Sequence, residues 1–101
     1  MYKPLHKDIK IGPSLIHGLG LLAIVEIGKD TNLGATHFPN KNELHGYIRT
    51  PTGGFINHST NPNCRKEEDT SGILYLITNE NINAGDELTI KYTLYDITEG
   101  D

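Results

Sequence analysis

The sequence predicts a mainly β domain built of short strands and frequent turns. Eleven glycines and five prolines punctuate short apolar segments. No segment sustains the apolar period of a helix. The most apolar run, Gly72-Ile73-Leu74-Tyr75-Leu76-Ile77-Thr78, has the length and β-branched content of a buried strand. At 101 residues the chain suffices for one domain with a modest core. We expect one domain over 1–101, with its core over residues 8–97.

Taken in order, residues 1–7 are a lead-in. Asp8 to Ile11 alternates polar and apolar residues, which predicts a strand. Gly12-Pro13-Ser14 predicts a turn. Gly18-Leu19-Gly20 then precedes the apolar Leu21-Leu22-Ala23-Ile24-Val25. Such a Gly-x-Gly is either a tight turn or a place where bare backbone N–H groups approach an anionic group. Glu26 to Thr31 predicts a hairpin turn between strands, and Leu33 to Phe38 a strand. Pro39 to Thr52 is polar and turn-rich, with Tyr47-Ile48 its apolar pair.

Gly54-Phe55-Ile56-Asn57-His58-Ser59-Thr60-Asn61-Pro62-Asn63-Cys64 holds the most distinctive chemistry. Phe55-Ile56 reads as a short buried strand running into a polar pocket, and Asn-Pro-Asn is a strong turn signal. Asn57 and His58 need partners at such a strand end; backbone turns, water or a ligand could all supply them. Arg65 to Ser71 is charged and predicts an exposed turn, with Glu67-Glu68-Asp69 as a solvated tip. Asn79 to Asp86 predicts a turn anchored by Ile82, and Glu87 to Tyr92 a last strand.

The net charge of −4 argues against non-specific nucleic-acid binding, which needs a basic face. The single cysteine excludes an internal disulfide. The five histidines are scattered, and no Cys/His spacing suits zinc, so no metal ligands are expected. No apolar run approaches membrane-spanning length, and the N-terminus lacks a signal-peptide core. These features predict a soluble intracellular domain with no membrane or direct nucleic-acid partner.

Phe55-Ile56-Asn57-His58-Ser59, followed by Pro62-Asn63-Cys64, resembles the central motif of SET-domain protein lysine methyltransferases. Ala84-Gly85-Asp86-Glu87-Leu88-Thr89-Ile90-Lys91-Tyr92 is similar to that family's second signature. Ser14 to Ala23 is similar to its opening cofactor motif. The three occur in the family's order and cover nearly all the chain.

The resemblance implies a β-clip-like fold of small twisted sheets with a C-terminal pseudoknot. It implies S-adenosylmethionine as cofactor and a lysine side chain of a basic protein or peptide, histone or non-histone, as acceptor. Gly18, Leu19 and Gly20 would line the cofactor's amino-acid end. Asn57 would contact the methionine moiety, and the His58 backbone would bond the adenine, leaving its side chain structural. Tyr92 matches the catalytic tyrosine. Tyr47 and Tyr95 are candidates for the substrate channel, although Tyr47 reads equally as a strand residue packing one face. Glu87 is expected to make an internal structural bond.

The chain departs from the family pattern in several places. His37 and Phe38 stand where many members carry a channel tyrosine, and Thr60 where many carry a cysteine. Asp30 stands near a frequent glycine, and aspartate tolerates turn geometry. The variable insert is short, and no cysteine-rich zinc tail follows. A homodimer, or a tail ordered by substrate, would then complete the channel. Two alternatives remain: a catalytically inactive SET-like module that binds peptide or cofactor, and a structural clip-like β domain that binds sugar or ice.

Overall fold

The structure, a computed structural model, describes residues 4–43 and 46–92. Its elements are β1 (Ile9–Pro13), β2 (Leu19–Ala23), β3 (Asn32–Pro39), β4 (Tyr47–Arg49), α1 (Pro51–Phe55), β5 (Asn57–His58), β6 (Cys64–Glu68), β7 (Leu74–Thr78) and β8 (Glu87–Ile90). They form two four-stranded sheets, ordered β1-β2-β8-β5 and β4-β3-β7-β6. The mainly β, small-sheet architecture agrees with the fold class expected.

The core is a single cluster fed by both sheets. Leu21, Ala23, Leu88 and Ile90 come from the first sheet, and Leu33, Cys64 and Leu76 from the second. Burying each large aliphatic side chain contributes about 1.5–3 kcal/mol. Ile27 and Ile82 join the cluster from connecting segments. Their backbones exchange two hydrogen bonds of 2.8 Å, so Ile82 anchors its turn as expected.

Four local expectations are corrected. The segment 26–31 is no hairpin turn, because β2 and β3 belong to different sheets. It is a crossover, and Leu21 and Leu33 join one core cluster from different sheets. Its Asp30 has φ 62°, a left-handed geometry that aspartate tolerates better than most residues. Gly12 and Pro13 lie inside β1, opposite Gly20 and Leu19. Proline is tolerated because β1 is an outer strand.

The charged segment after Cys64 is strand β6, paired along its length with β7. Charged residues suit an outer strand, whose exposed edge they protect from further pairing. The turn itself is carried by Asp69, whose Oδ1 accepts from Ser71 N at 2.8 Å and Ile73 N at 3.0 Å. Finally, Phe55 ends a helical turn instead of opening a strand. Thr50 caps that turn by accepting from Gly53 N at 3.2 Å, and Pro51 fixes its first residue. Gly53-Gly54 obscured the signal because glycine is a poor helix former. Gly53 is needed for another reason: a Cβ there would collide with the Thr36 carbonyl oxygen.

The decisive pairing for the site is parallel. β5 lies along β8, with Asn57 opposite Thr89 and His58 opposite Ile90. Asn63 ties the following loop to the same strand: its Nδ2 donates to Glu87 O at 2.9 Å, and its Oδ1 accepts from Thr89 N at 2.8 Å. The tail expected to complete the pseudoknot, residues 93–101, lies outside the described residues.

Candidate active site

The β5–β8 pairing brings Asn57 and His58 to the C-terminal end of β8. Tyr92 follows two residues after that strand. Its backbone N–H donates to His58 Nδ1 at 2.8 Å, and the two rings lie 5.1 Å apart. Its hydroxyl donates to Ile56 O at 2.7 Å. The hydroxyl proton is therefore spent on a carbonyl, and the phenolic oxygen presents lone pairs. His58 uses Nδ1 as an acceptor, which assigns its proton to Nε2. This gives the imidazole a holding role. Among the described residues, β5 is the outer strand of its sheet, and its second edge has no strand partner there.

Asn57 faces the segment that begins at Ser14. Its Nδ2 reaches Glu87 Oε2 at 2.9 Å, Ser14 Oγ at 3.1 Å, and the carbonyls of His17 and Leu19 at 3.2 Å each. The two carbonyls and the carboxylate can only accept, which fixes the amide with its NH2 group toward them. Among the described residues, no donor reaches Asn57 Oδ1. Among the described residues every fully buried side-chain nitrogen or oxygen has a partner, so this oxygen lies at the accessible surface.

The glycines flanking Leu19 differ. Gly18 has φ +50°, and a Cβ there would meet nothing within 4 Å. A Cβ on Gly20 would overlap Glu87 Oε2 and lie 3.0 Å from Asn57 Nδ2. The missing side chain of Gly20 thus makes room for protein groups, whereas Gly18 faces open space. Leu19 is half exposed between them.

Glu87 makes the internal bonds expected of it. Ser14 Oγ donates to both its carboxylate oxygens at 2.8 Å. The part of Ser14 was not legible in sequence, because nothing local marks a serine whose acceptor lies 73 residues away. The Ile56 carbonyl was missed for the same reason.

Tyr47 lies on β4 in the second sheet, where its ring meets that of His37 edge-on at 5.9 Å. Phe38 is 44% exposed. Tyr95 lies outside the described residues. An apolar cleft of about 260 Å³, bounded by Leu5, Leu33, Phe38 and Thr52, contains none of the residues around Asn57 and Tyr92. Among the described residues, no three His, Cys, Asp or Glu side chains gather as a metal site, and no helix is long and apolar enough to cross a membrane.

The SET-domain profile matches residues 26–93. A crystal structure of a Plasmodium falciparum protein, provisionally named a histone methyltransferase, aligns with a TM-score of 0.71. The alignment covers 88% of this chain and 96% of that one at 24% identity, a likeness of fold. No curated protein matches the sequence.

Proposed function

Because the chain belongs to the SET-domain family, we propose that it transfers a methyl group from S-adenosylmethionine to a lysine side-chain amine of a protein substrate. The observation that carries this reading is the convergence of Asn57, His58 and Tyr92 through the parallel β5–β8 pairing.

The residues present fit the cofactor's chemistry. Asn57 Oδ1 is an accessible acceptor suited to an ammonium group. The open edge of β5 at His58 offers backbone groups to a base edge. Gly18 leaves space beside the loop. When bound, S-adenosylmethionine supplies an electrophilic methyl carried on a sulfonium.

The chain's own part is positioning. A lysine amine has a reference pKa of ~10.4 and must be neutral to attack. An apolar channel favours the neutral form by withholding water from the charged one. Tyr92, its proton held by Ile56 O, accepts an N–H of the amine and so directs the nitrogen lone pair forward. No general base is assigned to the site. A basic peptide is the expected partner, and a second copy of the chain or an ordered tail would close the channel.

The exposure of Phe38, where many members have a channel tyrosine, favours one other reading: an inactive SET-like module that binds cofactor or peptide. Calorimetric titration of S-adenosylmethionine and S-adenosylhomocysteine into the chain, followed by a lysine-peptide activity screen, separates the two. Saturable binding that Asn57→Ala abolishes, together with turnover, supports the enzyme. Binding without turnover on any peptide supports the module. A folded chain that binds neither compound, with or without basic peptides, ends the enzyme reading and leaves the module only as a binder of peptide.

A further inference from the structure

Glu87 is a half-buried carboxylate, and no cation pairs with it among the described residues. Its partners are the Ser14 hydroxyl and the Asn57 amide. Ser14 Oγ gives its one proton to Glu87 and accepts from Ile16 N at 2.8 Å and His17 N at 3.1 Å. Hydroxyl and carboxylate together therefore tie three separate pieces of chain: the loop 14–19, the start of β5 and the start of β8.

We propose that Glu87, with Ser14, is a positioning residue that locks the Asn57 amide with Oδ1 outward, making this face of the site a receptor for an ammonium group. The inference rests on the function proposed above and assigns the cofactor's amino-acid end to a built acceptor. Two physical effects act in the same direction. A carboxylate drawing on the amide N–H groups polarises the amide and strengthens Oδ1 as an acceptor. The carboxylate, lacking a cationic partner, also adds a field that favours a cationic ligand.

Glutamine cannot replace Glu87 in this network. Its carbonyl could take one of the two donors, but its NH2 would occupy the other side as a third. Either the Ser14 hydroxyl or the Asn57 amide then loses its acceptor, and Asn57 is free to turn.

The test is Glu87→Gln in the full chain, read in two ways. In the ligand-free protein, NMR should show the Asn57 side-chain amide protected from solvent exchange in the wild type and unprotected in the variant. In titrations, the variant should bind S-adenosylhomocysteine about tenfold more weakly, while 5′-methylthioadenosine, which has no amino-acid end, changes less than about twofold. A merely structural role would weaken both compounds alike, and that result overturns the proposal, as does unchanged binding of both. An unprotected Asn57 amide in the wild type overturns the lock alone. A protected amide in a wild type that binds neither compound overturns the ligand assignment together with the proposed function.

Discussion

The backbone N–H of Tyr92 donates to Nδ1 of His58 at 2.8 Å, across 34 residues of sequence. This bond fixes the chain beyond β8 against β5 and orients the Tyr92 ring that the proposed chemistry needs. His58→Ala removes the acceptor and leaves a half-buried N–H to find water, costing about 1–3 kcal/mol. His58→Asn keeps an acceptor close to the place of Nδ1 and should cost less. Urea unfolding of the two variants measures the difference, and equal losses would contradict the role of the bond.

Tyr92→Phe removes the hydroxyl bonded to Ile56 O. Stability should fall by about 1 kcal/mol, the net worth of a neutral hydrogen bond. Turnover should fall by a factor on the order of 100 or more, as expected when a positioned polar group is lost from a reacting centre. Single-turnover assays beside S-adenosylhomocysteine titrations check this: binding should persist in the variant while methyl transfer fails.

Gly20→Ala places a methyl group against Glu87 and Asn57. Overpacking there should cost about 1–3 kcal/mol and weaken S-adenosylhomocysteine binding. Gly18→Asn tests the contrast. Asparagine tolerates φ +50° and meets open space, so stability should change little. Thermal melts and titrations of both variants decide whether the two glycines differ as the structure requires.

The neighbouring glycines of α1 should respond with opposite signs. Gly53→Ala drives a Cβ into the Thr36 carbonyl, a backbone atom that cannot rotate away, and should destabilise by about 1–3 kcal/mol. Gly54→Ala meets only Arg49 Cδ at 3.6 Å, an ordinary contact. It should gain up to about 0.5–1 kcal/mol from lower backbone freedom in the unfolded chain. Denaturant midpoints of the pair test this directly.

Cys64 is buried in the core, and burial pushes its thiol up from 9.0 to about 12. The unfolded thiol ionises first, so this contribution to stability is complete below about pH 9 and is lost as pH rises toward 12. Wild type should therefore lose more stability than Cys64→Ala between these limits. The native thiol should also resist thiol-reactive dyes at pH 8, reacting only at the rate of unfolding. Rapid labelling of the folded chain would contradict this burial.

Much of this protein is written locally. The strand of the apolar run 74–78 follows from its length and β-branching, which the segment carries within itself. The Ile82 anchor follows from a lone apolar residue in a polar turn in the same way. The motif residues Asn57, His58 and Tyr92 also stand out as residue types in a known order. Where local signals conflict, as with Thr50-Pro51 before Gly53-Gly54 or the charges of β6, the sequence misleads. There tertiary contacts outweigh propensities worth less than about 1 kcal/mol per residue. What only the fold decides is who holds whom. The Ser14–Glu87 and Asn57–Glu87 bonds span 73 and 30 residues. They exist because β8 is seated between β2 and β5. A side chain's type states what it can donate or accept, but its partner is fixed by sheet order, and sheet order is set by how both sheets bury their apolar faces in one core.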